Sequence, residues 1–135
     1  MLSVVVITKN EENRIKVCLE SLKWADEIII VDNESSDNTL GIAKKYTDKI
    51  LNLKDQDFAT IRNKGMDKAL GEWVLYIDAD ERVLEPLKNE IEVLITLDDK
   101  SAYALSRRNI IFGSEVSYGP YKKDFPLHQL YGALL

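Results

Sequence analysis

Two carboxylates set two positions apart end the sharpest apolar-to-acidic transition in the sequence, where Trp73-Val74-Leu75-Tyr76-Ile77 runs straight into Asp78-Ala79-Asp80-Glu81. The apolar run is β-prone throughout, which predicts a strand buried on both faces that delivers acids to a sheet edge. In extended or turning backbone, side chains at i and i+2 point the same way, so Asp78 and Asp80 can approach one cation together. Oxygen-only ligation suits Mg2+ or Mn2+ rather than zinc. An ion held by two carboxylates keeps open positions that substrate phosphates fill, which points to metal-assisted chemistry on a nucleotide diphosphate. An Asp-x-Asp also arises where a strand merely turns, so the surrounding sequence has to supply the context.

The elements that would position these acids can be read from periodicity. Leu2-Ser3-Val4-Val5-Val6-Ile7 is a second buried-strand run, followed by the helical stripe Ile15, Cys18, Leu19, Leu22. Ile28-Ile29-Ile30-Val31 repeats the pattern, ends at Asp32, and leads through Asn33-Glu34-Ser35-Ser36-Asp37 to a helix carrying Leu40, Ala43 and Tyr46. Ile50-Leu51-Asn52-Leu53 is a weaker strand, and Phe58 to Leu70 reads as a helix stopped by Gly71. After the Trp73 strand, Pro86 suits a first helical position, Leu87, Ile91, Leu94 and Ile95 form an inward stripe, and Tyr103-Ala104-Leu105 is a modest strand. Strands alternating with helices predict an α/β fold, an open mostly parallel sheet with helices on both faces.

In such sheets ligands collect beyond the carboxyl ends of the strands. Three polar clusters fall there: Thr8-Lys9-Asn10-Glu11, the Asp32 to Asp37 segment, and Asp78-Ala79-Asp80. The first two suit the reading of a base and ribose, and the third suits the metal. Asn10 and Asp37 also fit as helix caps. Arg62, near the start of the third helix, offers a planar cation for phosphate, with Asn63 beside it.

Composition narrows the classes. With 135 residues, 45% hydrophobic and 30% charged, the chain suits a folded domain with a real core. A net charge of -5 argues against a nucleic-acid footprint. One cysteine, Cys18, excludes a disulfide framework and reads as a core thiol on a helix face. Without a leader pattern or an 18-residue apolar stretch, the domain reads as cytoplasmic. Lys122-Lys123, flanked by aromatics, suit peripheral contact with an anionic membrane surface. The apolar run to Leu135 reads as cut from something longer, or as packed against a partner, a second copy of the chain included. The pattern loosens near Asp98-Asp99-Lys100, which divides 1–97 from 98–135.

Several ordered motifs together carry a family resemblance. Val4 to Glu12, Cys18 to Leu22, Asp26 to Asp32 with Ser35 to Thr39, Ala59 with Arg62-Asn63, and Gly71 to Leu75 with Asp78 to Arg82 resemble the family 2 glycosyltransferases of the GT-A, Rossmann-like fold. The similarity is to the branch that builds bacterial lipopolysaccharide core and cell envelope, and it spans residues 1 to about 97. The resemblance implies a nucleotide-sugar-binding donor core over 1–97, an acceptor-side region beginning in 98–135, and an inverting transfer of sugar to a saccharide or lipid-linked acceptor. It implies that Thr8, Glu11 and Asp32 line a uridine or other base pocket, with Arg62 near base or phosphate. Asp78 would lie by ribose and metal, and Asp80 would be the direct metal ligand. Glu34 stands where the family usually has glycine, and Leu127 and Tyr131 stand where it has an acid and an arginine. The family's general base falls beyond this chain, and Glu115 and Asp124 read as surface acids. A nucleotidyltransferase would favour a glycine-rich phosphate loop after the first strand, yet Thr8 to Glu12 contains no glycine. A non-catalytic nucleotide-sugar-binding fragment is the other alternative.

Overall fold

The computed structural model describes residues 1–54, 56–97, 102–105, 108, 110–111, 114–115 and 128–132. The elements are β1 (Leu2–Thr8), α1 (Ile15–Glu20), β2 (Glu27–Asn33), α2 (Thr39–Ala43), β3 (Ile50–Leu53), α3 (Phe58–Met66), β4 (Trp73–Asp78), α4 (Glu85–Leu94), β5 (Ala102–Leu105), β6 (Ile110–Ile111), β7 (Ser114–Glu115) and β8 (His128–Gly132). The main sheet runs β3-β2-β1-β4-β8-β5, and β6 pairs with β7 apart from it. Its first four strands are parallel, whereas β8 is antiparallel to both β4 and β5. Within the C-terminal run, residues 128–132 pair as β8 with the chain's own sheet.

Strand alternation divides the core into two layers. Leu2, Val4 and Val6 point to the face covered by Ile15, Cys18 and Leu19 of α1, Ala43 of α2 and Ile91 of α4. Val5 and Ile7 point to the opposite face, where Ile61 of α3 packs with Ile29, Val31 and Tyr76. All seven residues of β1 are buried, as a central strand covered on both sides requires. The expected sheet with helices on both faces is what the chain forms.

Local differences have physical reasons. Helix α3 ends at Met66 instead of continuing to Leu70, and Gly71 is not its stop. Gly71 sits against β1, where an added Cβ would lie 2.7 Å from Ser3 N and 2.8 Å from Met1 O. Leu84 caps α4, so Glu85 is its first residue and Pro86 its second. Neither Asn10 nor Asp37 occupies a cap position, since Arg14 precedes α1 and Asn38 precedes α2.

At the start of β2, Glu27 is buried and gathers three donors: the Leu70 N–H at 2.9 Å, the Ser3 hydroxyl and the Lys49 ammonium. Burial opposes ionisation of Glu27, but these hydrogen bonds and the lysine charge outweigh it and hold the carboxyl below its ordinary range.

Candidate nucleotide and metal site

Strand register brings the three polar clusters to one edge. Thr8 pairs with Asp32 across β1 and β2, and Ile7 pairs with Asp78 across β1 and β4. Past Asp78 the chain turns at once. Ala79 N–H donates to Ile7 O at 3.0 Å, Glu81 N–H donates to Asp78 O at 2.9 Å, and Glu81 Oε2 accepts from Asp78 N–H at 2.9 Å. This tight turn brings oxygens of Asp78, Asp80 and Glu81 within 4.8 Å of one another. An all-carboxylate set fits a hard divalent cation such as Mg2+ or Mn2+ and lacks the nitrogen and sulfur ligands zinc favours. Arg14 reaches one of these acids, lying 3.9 Å from Asp80 Oδ2, and forms a fork to Glu11 at 2.6 and 2.8 Å.

Beside these acids lies a cleft of about 310 Å³ lined by Thr8, Glu11, Asn33, Phe58, Asp78 and Asp80, among others. Thr8 is 2% exposed, and its hydroxyl finds no hydrogen-bond partner among the described residues. A buried hydroxyl left so is costly in a finished interior and natural at the wall of a binding site.

The other sequence candidates lie at the end of β2, in the loops after β1 and β2, and on α3. Asn10 has a left-handed backbone with φ 54°, donates its N–H to Ser35 Oγ at 2.8 Å, and accepts from Ser36 N–H at 2.8 Å through its side chain. Asp32 is fully buried, with one oxygen accepting Ser35 N–H at 2.9 Å and the other the Ser35 hydroxyl. Glu11 N–H donates to Thr39 Oγ1 at 2.8 Å, Glu12 N–H to Asp37 Oδ2 at 3.1 Å, and Asn38 N–H to Glu12 Oε2 at 2.9 Å. Desolvation works against the charge on Asp37, but hydrogen bonds from Thr39 and Glu12 overcome it and lower its pKa. The loops after β1 and β2 are thus laced together. Arg62, half-buried, lies with Cζ 4.7 Å from the Phe58 ring centroid and 5.4 Å from that of Tyr76, so it meets the cleft through Phe58.

Glu81, Arg14 and Phe58 escaped the sequence reading. Glu81 directly follows the acid pair, and Arg14 stands three residues beyond Glu11, a helical ion-pair spacing. Cys18 is the expected core thiol: burial, reinforced by Glu81, Asp80 and Asp78, pushes its pKa up to about 12. Glu115 is exposed and paired with Arg108. Asp124, Lys122 and Lys123 lie outside the described residues. A larger cavity of about 840 Å³, between α1 and the segment entering α4, shares Asp80 with the cleft and is floored by Ile77 and Leu105. Among the described residues, no helix is long and apolar enough to cross a membrane.

A parallel β3-β2-β1-β4 sheet with an antiparallel insertion and acids at its carboxyl edge is a GT-A, Rossmann-like architecture. The sequence matches the model of glycosyl transferase family 2 over residues 3–133, and the chain belongs to that family. It is similar to an uncharacterized glycosyltransferase of Rickettsia typhi, 37% identical over 103 residues, covering 76% of this chain and 35% of that protein. The chain therefore spans about a third of the length of such curated relatives. Among solved structures, S. aureus TarS residues 1–349 in complex with UDP-GlcNAc superposes with a TM-score of 0.62 at 29% identity, over 90% of this chain and 38% of that one. Glucosyl-3-phosphoglycerate synthase of Mycobacterium tuberculosis, in complex with Mg2+ and UDP, shares the fold with a TM-score of 0.63 at 21% identity, over 76% and 42% of the two chains.

Proposed function

We propose that this chain is the donor-binding portion of a metal-dependent, inverting glycosyltransferase that moves a sugar from a nucleotide diphosphate, UDP foremost, to a saccharide or lipid-linked cell-envelope acceptor. The observation that carries the reading is the convergence of the Thr8 hydroxyl and the Asp78 and Asp80 carboxylates on one cleft at the sheet's carboxyl edge, with Glu81 grouped beside the two acids. Membership of the family and the likeness to TarS bound to UDP-GlcNAc support it.

In this reading Thr8 and Glu11 face the nucleotide, and Asp32 and Asn10 hold the loops that present them. Arg62 supports the base and phosphate side from behind Phe58. Asp80 and Asp78 would hold Mg2+ or Mn2+, which supplies positive charge against the departing diphosphate. Arg14 adds a fixed guanidinium beside the same acids. Residues 1–97 are the donor core, and 98–135 open the acceptor side, where the larger cavity meets Asp80. Lys122 and Lys123 are the proposed contact with a membrane surface.

Calorimetric titration with UDP, GDP and CMP, with and without Mn2+, tests the reading. Metal-dependent UDP binding that Asp80→Ala abolishes is expected. No nucleotide binding tighter than about millimolar with metal present overturns the proposal. Turnover of a UDP-sugar separates a transferase from a binding module.

A further inference from the structure

Phe58 is a large apolar side chain that the fold leaves in the open. It is the first residue of α3 and is 52% exposed, yet it lines the same cleft as Thr8, Glu11 and Asp80. Its backbone is fixed, because Asp57 caps the helix, accepting from Thr60 N–H at 3.0 Å and from the Thr60 hydroxyl at 2.6 Å. Its ring is held as well. Arg62, one turn on, sets its guanidinium against the ring, and the Tyr76 hydroxyl donates to Arg62 O at 3.0 Å. Helix α3 itself is seated on β1 and β2, where Gly65 packs against Val5 and Val31. Phe58 therefore stands on the side of the cleft formed by the first two strands, while the carboxylate cluster comes from β4.

A flat, exposed ring with fixed backbone, lining the same cleft as a buried hydroxyl that has no partner among the described residues, matches a planar ligand that carries hydrogen-bonding edges. A nucleobase has that chemistry: its faces stack and its edges pair. A diphosphate has no use for an aromatic face and is drawn instead to the cation side. The geometry points to Phe58 as the platform on which the donor's nucleobase stacks, with Arg62 as the positioning residue that holds the ring. This rests on the nucleotide reading of the cleft and adds to it a residue that sets how the base is held.

The test compares UDP with inorganic pyrophosphate, both with Mg2+, on the wild-type chain and on Phe58→Ala, Phe58→Tyr and Arg62→Gln. The Phe58 ring is half in solvent, and an unchanged melting temperature and circular dichroism spectrum would verify that Phe58→Ala is folded. Loss of a stacking surface is expected to weaken UDP by about 5- to 150-fold and leave pyrophosphate unchanged. Phe58→Tyr keeps the aromatic face and should restore UDP affinity to within about twofold of wild type. Arg62→Gln should show a smaller loss in the same direction. UDP binding unaffected by Phe58→Ala overturns the inference while the nucleotide reading stands, and so does an equal loss for UDP and pyrophosphate. A wild-type chain that ignores UDP altogether overturns both.

Discussion

Replacing Thr8 by valine should move stability and ligand affinity in opposite directions. The hydroxyl of Thr8 is buried and unpartnered among the described residues, at the end of a strand covered on both faces. Burying such a group without a hydrogen bond costs about 1 to 3 kcal/mol. Valine keeps the branched shape and β preference of threonine while removing the polar atom. The ligand-free Thr8→Val chain should therefore gain about 1 to 2 kcal/mol. For a chain of 135 residues, at about 2 cal/mol/K of unfolding entropy per residue, that is a rise of roughly 3 to 7 °C in melting temperature. If the hydroxyl meets the nucleotide, UDP binding should weaken by about 3- to 10-fold, the worth of one hydrogen bond. Differential scanning calorimetry gives the first number and isothermal titration with UDP and Mn2+ the second. A Thr8→Val chain that melts lower than wild type, or one that melts higher and binds UDP equally well, refutes the reasoning.

Substitutions at two further residues probe the frame of the fold. Glu34 holds φ at 63°, a left-handed backbone that costs a side-chain-bearing residue about 1 to 2 kcal/mol, and its exposed contact with Lys54 at 3.8 Å returns little. Glu34→Gly should raise stability by about 0.5 to 1 kcal/mol after glycine's greater unfolded freedom is subtracted, which chemical denaturation would measure; a loss of stability would contradict the strain argument. Because the folded pKa of Glu27 lies below its unfolded value, the stability it contributes is present above the unfolded carboxylate range, near pH 4.5, and is lost as pH falls through the folded pKa. Melting temperatures of wild type should thus fall more steeply than those of Glu27→Gln below about pH 4.5, and parallel curves would remove Glu27 from the acid response. Glu27→Ala, which strips the acceptor from Leu70 N–H, Ser3 and Lys49 together, should cost about 3 kcal/mol at neutral pH.

The central sheet was legible because parallel strands buried on both faces leave apolar runs that little else produces, as in Val4-Val5-Val6-Ile7 and Ile28-Ile29-Ile30-Val31. Once those runs are strands, Asp32 and Asp78 must emerge at one edge, which the Thr8–Asp32 and Ile7–Asp78 registers bear out. Other features depend on neighbours that no local pattern reveals. Gly71 looks like a helix stop, yet its lack of a side chain serves the approach of Ser3, 68 residues away in sequence, whose Oγ accepts the Gly71 N–H. Asn10 looks like a ligand or a cap, yet its left-handed backbone turns its side chain onto Ser36. Phe58 reads in the sequence only as the start of a helix, and the geometry of α3 shows that it faces the cleft.

The lacing between the first two loops makes the cleft an assembly of two parts with separate histories. Its rungs join residues 25 to 28 positions apart, all contributed by the opening β-α-β segment, whereas the acids arrive on a strand from a later stretch of the polypeptide. The halves meet through main-chain pairing of β1 with β4, through the core that α1 shares with β4, and through Arg14, which reaches both Glu11 and Asp80. Replacement of the acidic turn should therefore leave the rungs between the first two loops in place and disturb the rim mainly through Arg14, the side chain shared by both halves.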